Sequence, residues 1–84
     1  MARYLRPTPL IRSSYFSDLT GADVWLKLES LQPTHSFKVR GAINAVAHLD
    51  EEQRKRGVVT ASGGNHGLGV ALASRLLETT ATVY

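Results

Sequence analysis

The sequence predicts an α/β fold built on parallel strands, and three observations carry that prediction. Val39, Ala42, Ile43, Val46 and Leu49 fall at helical spacing, so one apolar stripe runs through that stretch. Two short β-prone runs, Gly57 to Ser62 and Thr80 to Tyr84, enclose a second helical pattern that opens on a glycine-rich turn. A third run, Val24 to Glu29, alternates apolar and polar residues ahead of the first long helix. Strand, helix, strand, helix, strand is the order of a parallel sheet with right-handed crossovers. Such a sheet needs cover on both faces, which gives three layers.

The elements follow in order. Arg6-Pro7-Thr8-Pro9 is extended, because each proline keeps its predecessor out of the helical region, and Leu10 and Ile11 are expected to dock on the core. Ser13 to Thr20 holds a helical turn, and Gly21-Ala22-Asp23 turns into the strand Val24 to Glu29. Val24, Leu26 and Leu28 share one face of that strand; Trp25, expected to pack, shares the other with Lys27 and Glu29. Glu29 approaches the loop that carries Lys38, either solvated or paired with a nearby cation. Pro33 and Thr34 close that loop, and Ser36 is the expected N-cap of the first long helix. Asp50 caps a short helix with Glu51 and Glu52 in its first turn, Arg54, Lys55 and Arg56 in its last, and Gly57 as terminator. The second long helix spans Leu68 to Leu77, with Leu68, Ala71, Leu72 and Leu76 making one apolar face. Glu78-Thr79 then turns, and a strand that begins so close to Tyr84 suggests a chain truncated at its C-terminus.

Two stretches carry candidate chemistry. The first is Ser36-Phe37-Lys38-Val39-Arg40-Gly41-Ala42, where a helix start holds two cations and no acid. A cation in that turn costs roughly 0.3 to 1 kcal/mol, and Gly41 costs the helix about 1 kcal/mol relative to alanine. The helix N-terminus and Arg40 both disfavour an ammonium, which suits an amine nucleophile or Schiff-base former at Lys38; a solvated lysine, merely tolerated, is the alternative. Gly41 would let a flat ligand or another backbone come close. The second stretch is Gly63-Gly64-Asn65-His66-Gly67, between a strand and a helix, where unpaired backbone N–H groups make an anion-binding geometry. No Gly-Lys-Ser or Gly-Lys-Thr follows, so it is not a P-loop, and Gly64, Gly67 and Gly69 have the wrong spacing for a dinucleotide fingerprint. His66, at the helix entrance, either contacts a ligand carboxylate or makes helix-start hydrogen bonds. His35 and His48 receive no role. There is no metal cluster and no Ser/His/Asp triad in this spacing.

Taken together, Glu29 to Gln32-Pro33, the Ser36 to Ala42 stretch and Ser62-Gly63-Gly64-Asn65-His66-Gly67 resemble the pyridoxal-phosphate enzymes of the threonine dehydratase and serine racemase group. Arg6-Pro7-Thr8-Pro9-Leu10 also resembles that group's opening segment. The resemblance covers nearly the whole chain. It implies a fragment of a fold type II, tryptophan synthase beta-like enzyme, with residues 1–56 starting the large domain and residues 57–84 starting the small one. It implies pyridoxal 5'-phosphate as cofactor, Lys38 as the Schiff-base lysine and proton-transfer base, and Asn65 as a hydrogen-bond partner of the cofactor ring's phenolic oxygen. Ser62, Gly63, Gly64, Asn65 and His66 would form the substrate-carboxylate loop. Phe37 would pack the cofactor pocket, or else be ordinary core.

Racemases of the group are similar except that a serine stands where this chain has Gly63, and its hydroxyl works on the substrate face opposite the lysine. Gly63 cannot move a proton, so the resemblance shifts toward β-elimination of L-threonine or L-serine to a 2-oxo acid and ammonia. Cysteine and threonine synthases usually have an Asp after the lysine and a Thr after the Asn, and Val39 and His66 argue against both. Outside the dehydratase reading stand a serine or other amino-acid racemase, a different β-eliminating lyase, and a non-catalytic anion-binding module.

At 84 residues the chain has room for one small domain whose independent stability is doubtful. It is 43% hydrophobic and 20% charged, with no apolar run of the length a membrane helix needs. Zero cysteines exclude a disulfide scaffold and thiolate chemistry and fit a cytoplasmic protein. Met1 to Arg6 has no apolar signal region. The net charge of +3 comes from scattered cations without interleaved aromatic residues, a poor footprint for nucleic acid. The expected partner is a small amino-acid substrate, with no nucleic acid and no membrane, and a homo-oligomer is expected at full length.

Overall fold

The computed structural model describes residues 1–84. The chain opens on a turn that buries Leu5, with Tyr4 and Leu5 both donating to the Met1 carbonyl. Strand β1 (Leu10–Arg12) leads into helix α1 (Ser14–Thr20), capped by the Ser13 hydroxyl and ended by left-handed Gly21 at φ 72°. Strand β2 (Trp25–Lys27) returns antiparallel to β1, with Ile11 opposite Leu26. A single 3-10 turn at Glu29–Leu31 ends this unit.

Helix α2 (Lys38–Ala47) and the short helix α3 (Glu51–Arg56) follow. As expected, Asp50 caps α3: its carboxylate accepts from the Gln53 amide, and the Gln53 side chain accepts from the Asp50 amide, so two orphan donors are satisfied reciprocally. Gly57, at φ 86°, ends α3 and feeds strand β3 (Val58–Thr60). Helix α4 (Asn65–Leu76) then carries the chain to strand β4 (Ala81–Val83), which pairs parallel to β3 with Val59 opposite Thr82.

The α/β class holds, but the strands divide between two sheets of two. The run at Val24 to Glu29 does not join β3 and β4. Its residues 25–27 pair with β1, and from Glu29 the backbone coils into the 3-10 turn. Leu10 and Ile11 therefore spend themselves on strand pairing and do not dock on the core; Leu10 is 60% exposed. Trp25, expected to pack, is 52% exposed.

The core lies between α2 and α4. Val39, Ala42, Ile43 and Val46 of α2 meet Val70, Ala73 and Leu77, and Leu5 closes one end. The α2 stripe is the one its periodicity predicts, whereas α4 turns a different face inward. Gly67, Gly69, Val70, Ala73 and Ser74 are buried while Leu68 is 55% exposed. Small residues decide this: a Cβ at Gly69 would stand 3.2 Å from the Lys38 carbonyl carbon, and one at Gly67 would stand 3.1 Å from a Val83 methyl. Helix α4 approaches α2 and β4 through its glycines; of the expected leucines, Leu72 packs against the core half-buried while Leu68 and Leu76 are left outside. No helix is long and apolar enough to cross a membrane.

Candidate active site

The backbone brings the two candidate stretches together at one contact. Gly69 of α4 lies against the carbonyl of Lys38, the first residue of α2. Asn65 is four residues before Gly69 on the same helix and so shares its face, one turn nearer the N-terminus. Helix α4 begins at Asn65, three residues earlier than its apolar pattern indicates, so Asn65 and His66 belong to its first turn.

Of the three lysines, two have partners. Lys27 Nζ donates to the Thr8 carbonyl, and Lys55 Nζ lies 3.6 Å from Glu51. Lys38 is exposed and enters none of the chain's ion pairs or side-chain hydrogen bonds; its Nζ sits 5.5 Å over the Phe37 ring. Phe37 is not core: it is 63% exposed at the cap position of α2. Ser36, the expected cap, makes no capping bond. The loop passes through His35 in the left-handed region (φ 59°), and beyond it the Ser36 hydroxyl is buried without a partner, as is that of Thr34.

The cations at the start of α2 also prove unequal. Arg40 Nε donates to Glu29 Oε2 at 2.7 Å and Arg40 Nη2 to Oε1 at 3.0 Å. The same carboxylate accepts from Thr8 Oγ1 at 2.5 Å and from Gln32 Nε2 at 3.1 Å. The Arg40 hydrogen bond chiefly, then that of Thr8, holds the Glu29 carboxyl down at about 2 against the opposing effect of burial; Gln32 adds to the lowering. Glu29 in turn pushes Arg40 up. Arg40 is therefore neutralised by Glu29 and is not a free charge beside Lys38.

At the second stretch, Ser62 Oγ accepts from the amides of Gly64 at 3.1 Å and Gly67 at 3.0 Å. A hydroxyl polarised by two donors keeps its own hydrogen available to an acceptor. The amides of Gly63, Asn65 and His66 have no acceptor within the chain, and a Cβ at Gly63 or Gly64 would meet nothing within 4 Å. Three free N–H donors and one hydroxyl thus surround open space at the N-terminus of a twelve-residue helix, which suits a carboxylate. His66 points elsewhere: with Gly41, Ala45, Val59 and Thr60 it lines an apolar groove of about 210 Å³ between α2, β3 and α4. Gly41 leaves that groove open, as nothing lies within 4 Å of where its Cβ would be.

The sequence model of the family described as "Pyridoxal-phosphate dependent enzyme" matches residues 1–84. The chain belongs to that family. It is 57% identical over 76 residues to the L-threonine ammonia-lyase of Thermotoga maritima, covering 90% of this chain and 19% of that protein. It is 51% identical over 81 residues to the catabolic L-threonine dehydratase TdcB of Staphylococcus aureus, covering 95% of this chain and 23% of that one. Among solved structures, serine racemase from Dictyostelium discoideum superposes with a TM-score of 0.89 at 43% identity over 98% of this chain and 27% of its own. The processed form of threonine deaminase isoform 2 from Solanum lycopersicum gives 0.85 at 39% identity over 98% and 24%. The chain thus spans about a fifth to a quarter of the relatives it matches, and its fold is that of fold type II pyridoxal-phosphate enzymes.

An unpaired amine at Lys38, with a helix-start donor set one turn beyond its contact with α4, fits a carbonyl cofactor and a carboxylate substrate. Of the two alternatives the sequence leaves for Glu29, solvated or paired with a nearby cation, the structure shows the second, with Arg40; the sequence does not reveal that Thr8 and Gln32 join the same carboxylate. One signal pointed to the pair: a cation in the first turn of α2 needs a compensating anion, and Glu29 is the acid nearest in sequence before it.

Proposed function

We propose that this chain supplies the amine and the carboxylate loop of a pyridoxal-phosphate-dependent ammonia-lyase that converts L-threonine or L-serine to a 2-oxo acid and ammonia. The observation that carries the reading is the unpaired Lys38 amine at a helix start that touches α4 one turn from the free donors of Asn65 and His66. The identities of 57% and 51% to a threonine ammonia-lyase and a threonine dehydratase support the same substrate class. When bound, the cofactor supplies an electron sink that makes the substrate's Cα proton removable.

The chain's own residues do the rest. The amides of Gly63, Asn65 and His66 and the Ser62 hydroxyl bind the substrate carboxylate, with Gly64 leaving room, and this fixes the Cα–H bond relative to Lys38. The Lys38 amine takes the Cα proton and the β-hydroxyl departs, hydrogen and hydroxyl leaving overall as water; the enamine acid so formed tautomerises to an imine, which water hydrolyses to the 2-oxo acid and ammonia. The Asn65 side chain orients the cofactor ring, and Phe37 covers it beside Lys38. Gly63 offers no proton donor on the opposite face, so reprotonation to the D-amino acid has no agent there. A small amino-acid substrate, a homo-oligomer at full length, a cytoplasmic location and a domain boundary near Gly57 complete the reading.

The test is a graft of residues 1–84 in place of the matching segment of the Dictyostelium serine racemase, assayed with L-serine for 2-oxo acid and D-serine. The expected result is 2-oxo acid with D-serine depressed, and a return of D-serine on Gly63→Ser. Abundant D-serine from the unmodified graft would sink the lyase reading.

A further inference from the structure

We infer that Glu29 is a positioning residue for Lys38: its one carboxylate fastens both ends of the loop that leads to that amine. The inference rests on reading Lys38 as the cofactor-binding amine and goes beyond it by assigning what fixes the amine's place.

The argument starts from the loop. Residues 33–37 join Gln32 to the first turn of α2, and little inside the loop secures it. His35 bonds locally, through its amide to Gln32 O at 2.8 Å and through Nδ1 to Ser30 O at 3.3 Å, while the Thr34 and Ser36 hydroxyls are buried without partners. The stronger attachments lie at either end. Gln32, 2% exposed, donates to Glu29 Oε2 ahead of the loop, and Arg40, two residues beyond Lys38, clamps the same carboxylate through two nitrogens. Bidentate guanidinium–carboxylate pairs fix orientation as well as distance, which a single hydrogen bond does not.

Thr8 supplies the third anchor. Its hydroxyl, on a residue 8% exposed, donates to Oε1, tying the Glu29 carboxylate to the extended segment ahead of β1. Three residues thus converge through four hydrogen bonds on one side chain that is itself only 15% exposed. Gly69 sets how close α4 comes to the Lys38 backbone, and Glu29 sets where along that contact the helix begins. Removing the charge of Glu29 leaves Arg40 uncompensated in a first turn that repels cations, so the start of α2 is free to shift or fray. Displacement of a reacting group by about 1 Å is enough to cost on the order of a hundredfold in rate.

The experiment incubates the full chain with pyridoxal phosphate, reduces it with borohydride, and reads the ratio of modified Lys38 to modified Lys55 by peptide mass spectrometry. Helix content by circular dichroism and the visible absorbance of bound pyridoxal phosphate are recorded alongside. Wild type should favour Lys38. Glu29→Gln should lower the ratio roughly tenfold or more and remove the visible band at unchanged helix content. Arg12→Ala, which removes the exposed pair with Asp23, should leave both readouts as in wild type. If Glu29→Gln loses its helices, Thr8→Val decides, since it deletes one anchor and keeps the Arg40 pair; a ratio lowered severalfold with helices intact is then expected. A folded variant that labels Lys38 as selectively as wild type overturns the inference alone. Wild type that labels Lys38 and Lys55 alike overturns the reading of Lys38 and this inference with it.

Discussion

Arg40 stands in the first turn of a helix, where the backbone's partial positive charge opposes a cation, and the Glu29 carboxylate offsets that opposition. The pair has a pH signature. Glu29 titrates near its usual 4.5 when unfolded and at about 2 when folded, chiefly because Arg40 and then Thr8 donate to its ionised form. A lowered folded-state value means that the unfolded chain binds the proton more readily. The stabilisation is present in full above 4.5 and drains away as pH falls from there through about 2. Urea midpoints should therefore fall more steeply across that window in wild type than in Glu29→Gln. Parallel curves for the two proteins would remove Glu29 from the account. The anomaly at Arg40 is legible in the sequence, and its resolution only in part, since the sequence leaves Glu29 either solvated or paired with a nearby cation. The partners are eleven residues apart, and only the 3-10 turn and the loop through His35 bring them together.

At the scale of elements, what is local is legible. Asp50, Gln53 and Gly57 specify helix α3 and both its ends within eight residues, and Ser13 and Gly21 do the same for α1. The α2 stripe is also plain, because one face carries all its branched side chains. Helix α4 is misread because an apolar pattern weighs leucines, whereas its packed face is chosen by how closely glycines allow a neighbour to approach. Gly69→Ala tests this: a Cβ 3.2 Å from the Lys38 backbone requires the contact to give by a few tenths of an ångström, and overpacking of this kind costs about 1–3 kcal/mol relative to an unhindered helical Gly→Ala change. Gly41→Ala, also inside a helix but opening onto free space, is the matched control. Urea unfolding of Gly69→Ala should show that loss against the control, and a variant as stable as the control would mean the two helices do not meet there.

The whole molecule is elongated, 51 × 27 × 17 Å, with a radius of gyration of 16.0 Å where a compact domain of this length would have about 12 Å. One core between α2 and α4 joins residues from both sides of Gly57, while Leu10 and Trp25 of the β1–β2 ribbon and Tyr15 and Leu19 of α1 are exposed. The class and the order of elements are legible from patterning. Which strands pair is not, because β1 and β2 are too short and too exposed for alternation to specify a partner. What this arrangement preserves is the meeting of the Lys38 stretch with α4 at Gly69, one turn from Asn65.

Borohydride trapping tests that meeting most directly. The chain is reduced after incubation with pyridoxal phosphate or, separately, with propanal, and the modified positions are mapped. The account predicts that pyridoxal phosphate concentrates on Lys38 well beyond the distribution propanal gives over Lys27, Lys38 and Lys55. The same distribution with both aldehydes would mean that Lys38 is only an accessible amine, and would contradict its assignment as the cofactor-binding residue.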